Sequence, residues 1–300
     1  MSLIFDIKRY AINDGPGIRI TLFFKGCPLS CVWCHNPEGI SSDKEKLYTR
    51  KKCIGCKMCV KSCPQHALTL MADGVVTDKS RCVLCGKCEE VCPTKAMEIS
   101  GHEYPIDYCV EQIEKEIPFM DKSGGGVTFC GGEPLMHHEF LLQLLERCGS
   151  KGVHRAVDTT LYARPEIVMQ VRNNCELFLV DLKSMDSYIH KKFTGVPNEL
   201  ILSNLRIIAE SGADFIIRIP LIVGVNANED NIRRSADFLS SLPWQRRTVE
   251  LLKYHDIGKN KHEKLGTQYN PQGYSFSAPD DEFLRQCAGI FEAKEIRVKF

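Results

Sequence analysis

Two stretches of the chain share one spacing of cysteines, CxxCxxCxxxCP, first at Cys53, Cys56, Cys59 and Cys63-Pro64 and again 29 residues later at Cys82, Cys85, Cys88 and Cys92-Pro93. A pattern repeated in this way marks an internal duplication of one small structural unit. Thiolates separated by two residues on a tight loop reach three corners of one cubane cluster, and the fourth cysteine, beyond a helical turn, ligates the other cluster. The spacing therefore predicts a crossed ligand set, with Cys53, Cys56, Cys59 and Cys92 on one 4Fe-4S cluster and Cys82, Cys85, Cys88 and Cys63 on the second. A zinc ribbon would pair two CxxC knuckles tetrahedrally; three evenly spaced cysteines followed by Cys-Pro, twice, argue against it. Between the two groups, TLMADGVVTDKS reads as two short strands about an Ala72-Asp73-Gly74 turn. The segment 48–101 is then a module of roughly fifty residues that could hardly fold without its metal.

Of the chain's 300 residues 16 are cysteine, while 43% are apolar and the formal net charge is only +1. That balance excludes a dominant nucleic-acid or membrane footprint, because there is no excess of Lys and Arg to neutralise phosphates or lipid head groups. The N-terminal segment has no signal-peptide pattern, and no apolar run approaches the ~20 residues needed to cross a bilayer. A cytoplasmic location is expected, where crowded thiols are metal ligands rather than disulfides. Cys109, Cys148, Cys175 and Cys287 lie in apolar contexts and read as small core residues.

Outside the cysteine module, strand and helix patterns alternate. Short β-rich apolar runs occur at 18–24, 127–130, 154–158, 177–182, 215–220 and 248–252, and amphipathic helix patterns follow several of them, as in EFLLQLLERC before Gly149 and ELILSNLRIIAE before Gly212. Alternating βα units imply a parallel sheet with right-handed crossovers. Six units are too few for a complete eight-stranded barrel. The expected fold is α/β, a partial (β/α)6 parallel barrel over 1–47 and 102–300, with an α+β two-cluster domain, 48–101, inserted after its first strand.

Immediately after that first strand stands Cys27-Pro-Leu-Ser-Cys31-Val-Trp33-Cys34. Three thiolates at this spacing can hold three irons of a cubane and leave the fourth open to a substrate. Polar residues also collect in the ends of the other strands or just after them: Cys130-Gly131-Gly132-Glu133-Pro134, Asp158-Thr159-Thr160, Asp181-Leu182-Lys183, Arg218 within its strand and Tyr254-His255. In parallel α/β folds the ligand site lies at those C-terminal strand ends. Each group alone has a bland explanation as a turn, a cap or a solvated side chain; their common placement at one sheet edge weakens that explanation for all of them.

The CxxxCxxC triplet with Trp33 and the Gly-Gly-Glu-Pro segment resemble the radical S-adenosylmethionine (SAM) superfamily, and the paired cysteine repeats resemble bacterial two-cluster ferredoxins. More narrowly, Asp14-Gly15-Pro16-Gly17-Ile18-Arg19, Cys34-His35-Asn36-Pro37-Glu38, Gly124-Gly125-Gly126-Val127-Thr128, Asp181-Leu182-Lys183 and Tyr254-His255-Asp256-Ile257-Gly258-Lys259 are similar to the glycyl-radical enzyme activating enzymes. The resemblance covers nearly the whole chain. It implies a partial barrel that cleaves SAM reductively to a 5′-deoxyadenosyl radical, which takes a hydrogen atom from a glycine of a partner enzyme. It implies that Cys27, Cys31 and Cys34 hold the catalytic cluster, giving three 4Fe-4S clusters in all. Trp33, Gly131, Gly132, Glu133, Asp158, Lys183, Arg218 and His255 would contact SAM, and Asp158, Thr159, Asp181 and the Leu179 carbonyl match a monovalent-cation site of the family. It also implies a glycyl-radical enzyme as protein substrate and flavodoxin or ferredoxin as electron donor. Cys130 departs from the family, standing where many members have serine. Two rival readings stay open at this point: a radical SAM enzyme acting on a small molecule or another peptide, and a ferredoxin-like electron carrier. Nothing in the sequence selects the partner.

Overall fold

The computed structural model describes residues 2–300. Its strands in chain order are β1 (Leu3–Ala11), β2 (Arg19–Phe24), β3 (Glu45–Tyr48), β4 (Leu68–Met71), β5 (Gly74–Thr77), β6 (Met97–Ser100), β7 (His102–Glu103), β8 (Gly126–Gly131), β9 (Arg155–Thr159), β10 (Leu177–Asp181), β11 (Phe215–Leu221), β12 (Thr248–Lys253) and β13 (Arg297–Lys299). Nine of them form one open sheet in the order β13-β12-β11-β10-β9-β8-β2-β1-β7. From β2 to β13 every pairing is parallel, and β1 is antiparallel to both β2 and β7. The six expected barrel strands are thus β2, β8, β9, β10, β11 and β12. Three further strands extend the sheet at its two ends.

Helices fill the crossovers, among them His138–Gly149, Pro165–Arg172, Glu199–Glu210, Glu229–Ser240 and Asp281–Glu292. Their apolar faces cover one side of the sheet in a continuous core that includes Phe129, Val157, Phe178, Leu205, Ile217, Leu284 and Phe291. Cys109, Cys148 and Cys287 are buried in this core, and Cys175 packs against it. Side chains alternate across a strand, so the neighbours in sequence point the other way. Ala156, Leu177, Leu179 and Ile216 form a second, small cluster on the concave side. Continuing that period by two brings Asp158, Asp181 and Arg218 onto the concave side just above the cluster, and this is what locates the site.

The insert leaves and returns through an antiparallel pair, β3 with β6, and contains the β4–β5 hairpin and two short helices, Met58–Ser62 and Lys87–Glu90. Its buried apolar core is small: Cys59, Leu68, Val75 and Met97. The duplication seen in the cysteines extends to the backbone. Left-handed residues occur in pairs at the repeat offset, Gly55 with Leu84, Lys57 with Gly86, and His66 with Lys95. Likewise Ala67 N–H donates to Cys63 Sγ at 3.3 Å and Ala96 N–H to Cys92 Sγ at 3.1 Å. Unfavourable φ at non-glycine residues persists where surrounding structure dictates it, and here it curls each loop around its thiols. Cys53, Cys56, Cys59 and Cys92 line one hollow, and Cys63, Cys82, Cys85 and Cys88 line another.

Candidate active site

The strand register assembles the site row by row. Asp158 lies beside Leu179 in the β9–β10 pairing, Asp181 beside Arg218 in β10–β11, and Arg218 beside Glu250 in β11–β12. Side chains on one face of adjacent strands touch, so charges alternate across the row. Arg218 donates from Nη1 to Asp158 Oδ2 at 2.9 Å and from Nε to Glu250 Oε2 at 3.3 Å, and its Nη2 donates to the Asn13 carbonyl. Cys130 Sγ donates to the same Asp158 oxygen at 3.1 Å. Burial raises the Asp158 pKa to about 6, with Arg218 opposing the rise and Asp181 adding to it. Lys183 Nζ donates to Asp181 Oδ2 at 2.6 Å. Burial works against the ammonium, but the Asp181 carboxylate outweighs it and holds the lysine charged.

Above this row opens a cavity of about 590 Å³. Cys27, Cys31, Trp33, Cys34, Gly131, Gly132, Asp158, Thr159, Asp181, Lys183, Arg218 and His255 all line it. Residues from all six parallel crossovers thus face one space. Glu133 does not line it. That glutamate is fully buried, with Oε1 accepting from Thr159 Oγ1 at 2.7 Å and Leu135 N at 3.1 Å, and Oε2 from Thr160 N at 2.8 Å and Thr160 Oγ1 at 2.6 Å. All its acceptor positions are used within the protein, so it ties the loop after β8 to the loop after β9 and has no free face for a ligand.

The glycines before it answer a different demand. Gly131 has φ +118°, and a Cβ there would fall 2.3 Å from Phe24 N; one at Gly132 would fall 2.1 Å from the Gly26 carbonyl oxygen. Only glycine lets this segment lie against the cysteine loop, where Gly132 N donates to the Phe24 carbonyl and Glu133 N to the Gly26 carbonyl, both at 2.7 Å. The cysteine loop is pinned elsewhere too. Ser30 N and Val32 N donate to the carbonyls of Thr194 and Phe193, and Trp33 packs on Phe193 and Phe276.

The chemistry of these thiols is informative. Burial pushes Cys34 up to about 12, and burial likewise raises Cys27 and Cys31, the latter opposed by Lys183. Sulfurs in such surroundings stay protonated unless an electropositive metal takes the proton's place. Three adjacent thiols around an otherwise open cavity fit a cluster with one unligated iron. Among the described residues no group of three or more His, Cys, Asp or Glu side chains is placed to hold a single metal ion. The monovalent-cation expectation fits less well. Asp158 and Asp181 already carry Arg218 and Lys183 as cationic partners, and the Thr159 hydroxyl donates to Glu133 and accepts from Leu161 N.

Comparison with known proteins shows the family. Residues 79–238 match the Radical SAM superfamily model, residues 52–96 a 4Fe-4S dicluster domain and residues 13–71 a 4Fe-4S single cluster domain. The trans-4-hydroxy-L-proline dehydratase activating enzyme of Clostridioides difficile is 44% identical, over 99% of this chain and 98% of its own. The chain belongs to the glycyl-radical enzyme activating enzymes. The choline trimethylamine-lyase activating enzyme of Oleidesulfovibrio alaskensis is 41% identical, over 95% and 94% of the two chains. Among solved structures, a domain of the pyruvate-formate lyase-activating enzyme from Bacteroides vulgatus is 50% identical, covering 58% of this chain and 98% of that one, with a TM-score of 0.50. The protein is therefore an enzyme of the radical SAM class that activates glycyl-radical enzymes, using SAM and 4Fe-4S chemistry, and both rival readings fall.

In this activating enzyme further residues of the quoted motifs, without a site role in the sequence reading, reach the site: Asp14, Asn36 and Tyr254 line the cavity. The ring of His35 stacks on His255 with centroids 3.8 Å apart, and burial lowers its pKa to about 4. Lys261 lies in a basic segment that sequence alone would leave as a solvated loop. It sits instead on the helix Gly258–Leu265 and donates to Asn36 Oδ1 and Glu38 Oε1, each at 2.7 Å. That contact fixes the chain just beyond Cys34.

The grouping of thiols in the insert allows a direct test. Cys63→Ser is expected to alter the EPR signal of the cluster held by the later loop, Cys82 to Cys88, and Cys92→Ser that of the earlier one. Each substitution perturbing its own loop's cluster would show an uncrossed arrangement.

Proposed function

We propose that Cys27, Cys31 and Cys34 hold the catalytic 4Fe-4S cluster of this activating enzyme and that the insert, 48–101, carries two more between the barrel segments 1–47 and 102–300. The observation that carries the reading is the single cavity in which those three thiols meet Gly131, Gly132, Asp158, Lys183, Arg218 and His255. When loaded, the cluster supplies the electron that splits SAM into methionine and a 5′-deoxyadenosyl radical, which takes a hydrogen atom from the partner's glycine Cα. The chain's own residues bind, orient and exclude water. Lys183 uses one of its three donors on Asp181, which leaves an ammonium able to pair a carboxylate. Gly131 and Gly132 bring bare backbone to the same wall, suited to the methionyl amino group. Trp33 and His255 flank the space with flat rings suited to the adenosyl part. Arg218, with donors committed to Asp158, Glu250 and Asn13, fixes the row's geometry and contributes charge. No step is assigned to a monovalent cation, because both carboxylates have cationic partners.

Lys183→Met removes one charge-assisted hydrogen bond, worth about 1.5–3 kcal/mol. SAM affinity is expected to fall by about 10- to 100-fold, read by titrating the SAM-induced change in the cluster's EPR spectrum. An unchanged affinity would remove Lys183 from the site.

The reductant is a one-electron donor of the flavodoxin or ferredoxin kind, and the exposed cysteines Cys56 and Cys85 support electron entry through the insert. No helix among the described residues is long and apolar enough to cross a membrane, and the eleven cysteines assigned here to clusters need the reduced thiols that a cytoplasm maintains. The partner is a glycyl-radical enzyme. Trans-4-hydroxy-L-proline dehydratase and choline trimethylamine-lyase, the enzymes named for the two relatives above, form the first panel. Reduced, cluster-loaded protein mixed anaerobically with SAM and each enzyme is expected to produce 5′-deoxyadenosine and substrate turnover with one of them. No 5′-deoxyadenosine despite intact clusters would sink the assignment of the cavity.

A further inference from the structure

The Asp14-to-Arg19 run has no part in the chemistry above, yet Arg19 is 1% exposed. Among the described residues its guanidinium pairs with no carboxylate. Instead it donates to Thr128 Oγ1 and the Val127 carbonyl at 2.6 Å, the Pro16 carbonyl at 3.1 Å and the His154 carbonyl at 3.3 Å, with the His154 ring Nδ1 also at 3.3 Å. Burial lowers its pKa to about 10, with Asp14 and Glu176 acting the other way. A buried cation satisfied only by neutral groups is costly, and an apolar residue would serve stability better. What the arrangement holds in place is one short segment. Thr128 Oγ1 accepts from Arg19 and donates to the Asp14 carbonyl at 2.6 Å, while Thr21 Oγ1 donates to Asp14 Oδ2 at 2.8 Å. The Asn13 carbonyl is taken by Arg218. Three carbonyls within four residues, those of Asn13, Asp14 and Pro16, are therefore pinned from the barrel interior by two buried arginines and a threonine. Gly17, at φ +69°, lies so close to the Gly124-Gly125 backbone that a Cβ would fall 2.5 Å from Gly125 N.

The pinned segment forms part of the cavity wall at Asp14. It also forms one bank of an adjoining groove of about 430 Å³, where Ile12 and Pro16 face Leu252 and Phe300. Leu251, Leu252 and Phe300 line both spaces, so the groove runs into the cavity along the open side of the barrel. A protein segment, unlike SAM, needs an entry of this kind. We propose that Arg19 is a positioning residue which, through Thr128 and the Pro16 carbonyl, fixes segment 13–17 as the wall against which the partner's glycine is presented. It thereby sets how efficiently SAM cleavage is coupled to hydrogen abstraction. The proposal rests on the activating-enzyme reading and adds a residue outside the SAM and cluster contacts.

The test uses cluster-loaded wild type, Arg19→Gln, Arg19→Lys and Thr128→Val, with whichever enzyme of the panel the wild type activates. SAM cleavage under dithionite without a partner is expected to be unchanged in all three variants. Glycyl radical formed per 5′-deoxyadenosine is expected to fall about tenfold or more in Arg19→Gln, since small misplacements of reacting groups carry large rate penalties. Amide hydrogen exchange in residues 12–17 is expected to quicken in parallel. Lysine should rescue little, because it cannot reproduce a planar fork of donors, and Thr128→Val should shift the ratio the same way while keeping the arginine. An unchanged ratio in Thr128→Val and in any Arg19 variant that folds would overturn the proposal. So would equal losses of SAM cleavage and radical formation, which would mark a purely structural role. A wild type with intact clusters that cleaves no SAM would overturn the reading of the cavity on which this proposal rests.

Discussion

Alanine in place of Cys27, Cys31 or Cys34 is expected to reduce 5′-deoxyadenosine formation to the protein-free background while leaving the insert's clusters intact. The loop offers only three thiols to its cluster, and the cavity supplies no spare: Cys130, the one other cysteine lining it, is hydrogen-bonded to Asp158. Losing one of three ligands leaves two, too few to retain a cubane. The insert's eight thiols surround two separate hollows on a separate stem, β3 with β6, so their clusters should survive. EPR and iron content read the two outcomes apart, because the signal that responds to SAM should vanish while the others persist. Cleavage of SAM by any of these variants would move the chemistry to another cluster.

The second large effect falls on stability. Glu133→Ala is expected to cost about 3–5 kcal/mol, because it leaves two backbone N–H groups and two threonine hydroxyls without an acceptor in a buried space. Glu133→Gln tests the same contacts more finely. Each carboxylate oxygen faces a backbone N–H, Leu135 N on one side and Thr160 N on the other. A hydroxyl can turn to accept, but a backbone amide cannot, so the glutamine NH₂ meets an N–H whichever way it is placed. Chemical denaturation should show a loss of about 1–3 kcal/mol for glutamine, with SAM affinity of the folded protein nearly unchanged. A stable Glu133→Gln protein with weak SAM binding would return this residue to the ligand site.

Glu133 also shows where the sequence stops being readable. Its place after a strand and two glycines marks it as part of the site region, but whether its oxygens turn to the cavity or to Thr159 and Thr160 depends on a loop from another strand. The six barrel strands were legible because each is a short β-rich apolar run and several are followed by a helix pattern. Asp158, Asp181 and Arg218 were legible as members of one site because all three stand towards the C-terminal ends of strands expected to be parallel, while their register came only with the structure. Strand β1 was not: it carries Asp6, Lys8 and Arg9 and bends through register shifts at the sheet's antiparallel side. Strand β13 is three residues long and exists only through its pairing with β12. Lys261 reads as one charge among several until the helix bearing it is seen against Asn36 and Glu38. Arg19 is the sharpest case, since an arginine near a glycine-rich turn signals nothing about burial among carbonyls.

The activity is defined by where the hydrogen atom comes from. The most direct measurement prepares the partner, in its radical-free form, with deuterated glycine and follows the label under anaerobic, single-turnover conditions with reduced protein and SAM. Deuterium is expected in the 5′-deoxyadenosine methyl group, together with a glycine-centred radical whose EPR signal appears at the same rate. Unlabelled 5′-deoxyadenosine accompanied by no glycine-centred signal would contradict that origin.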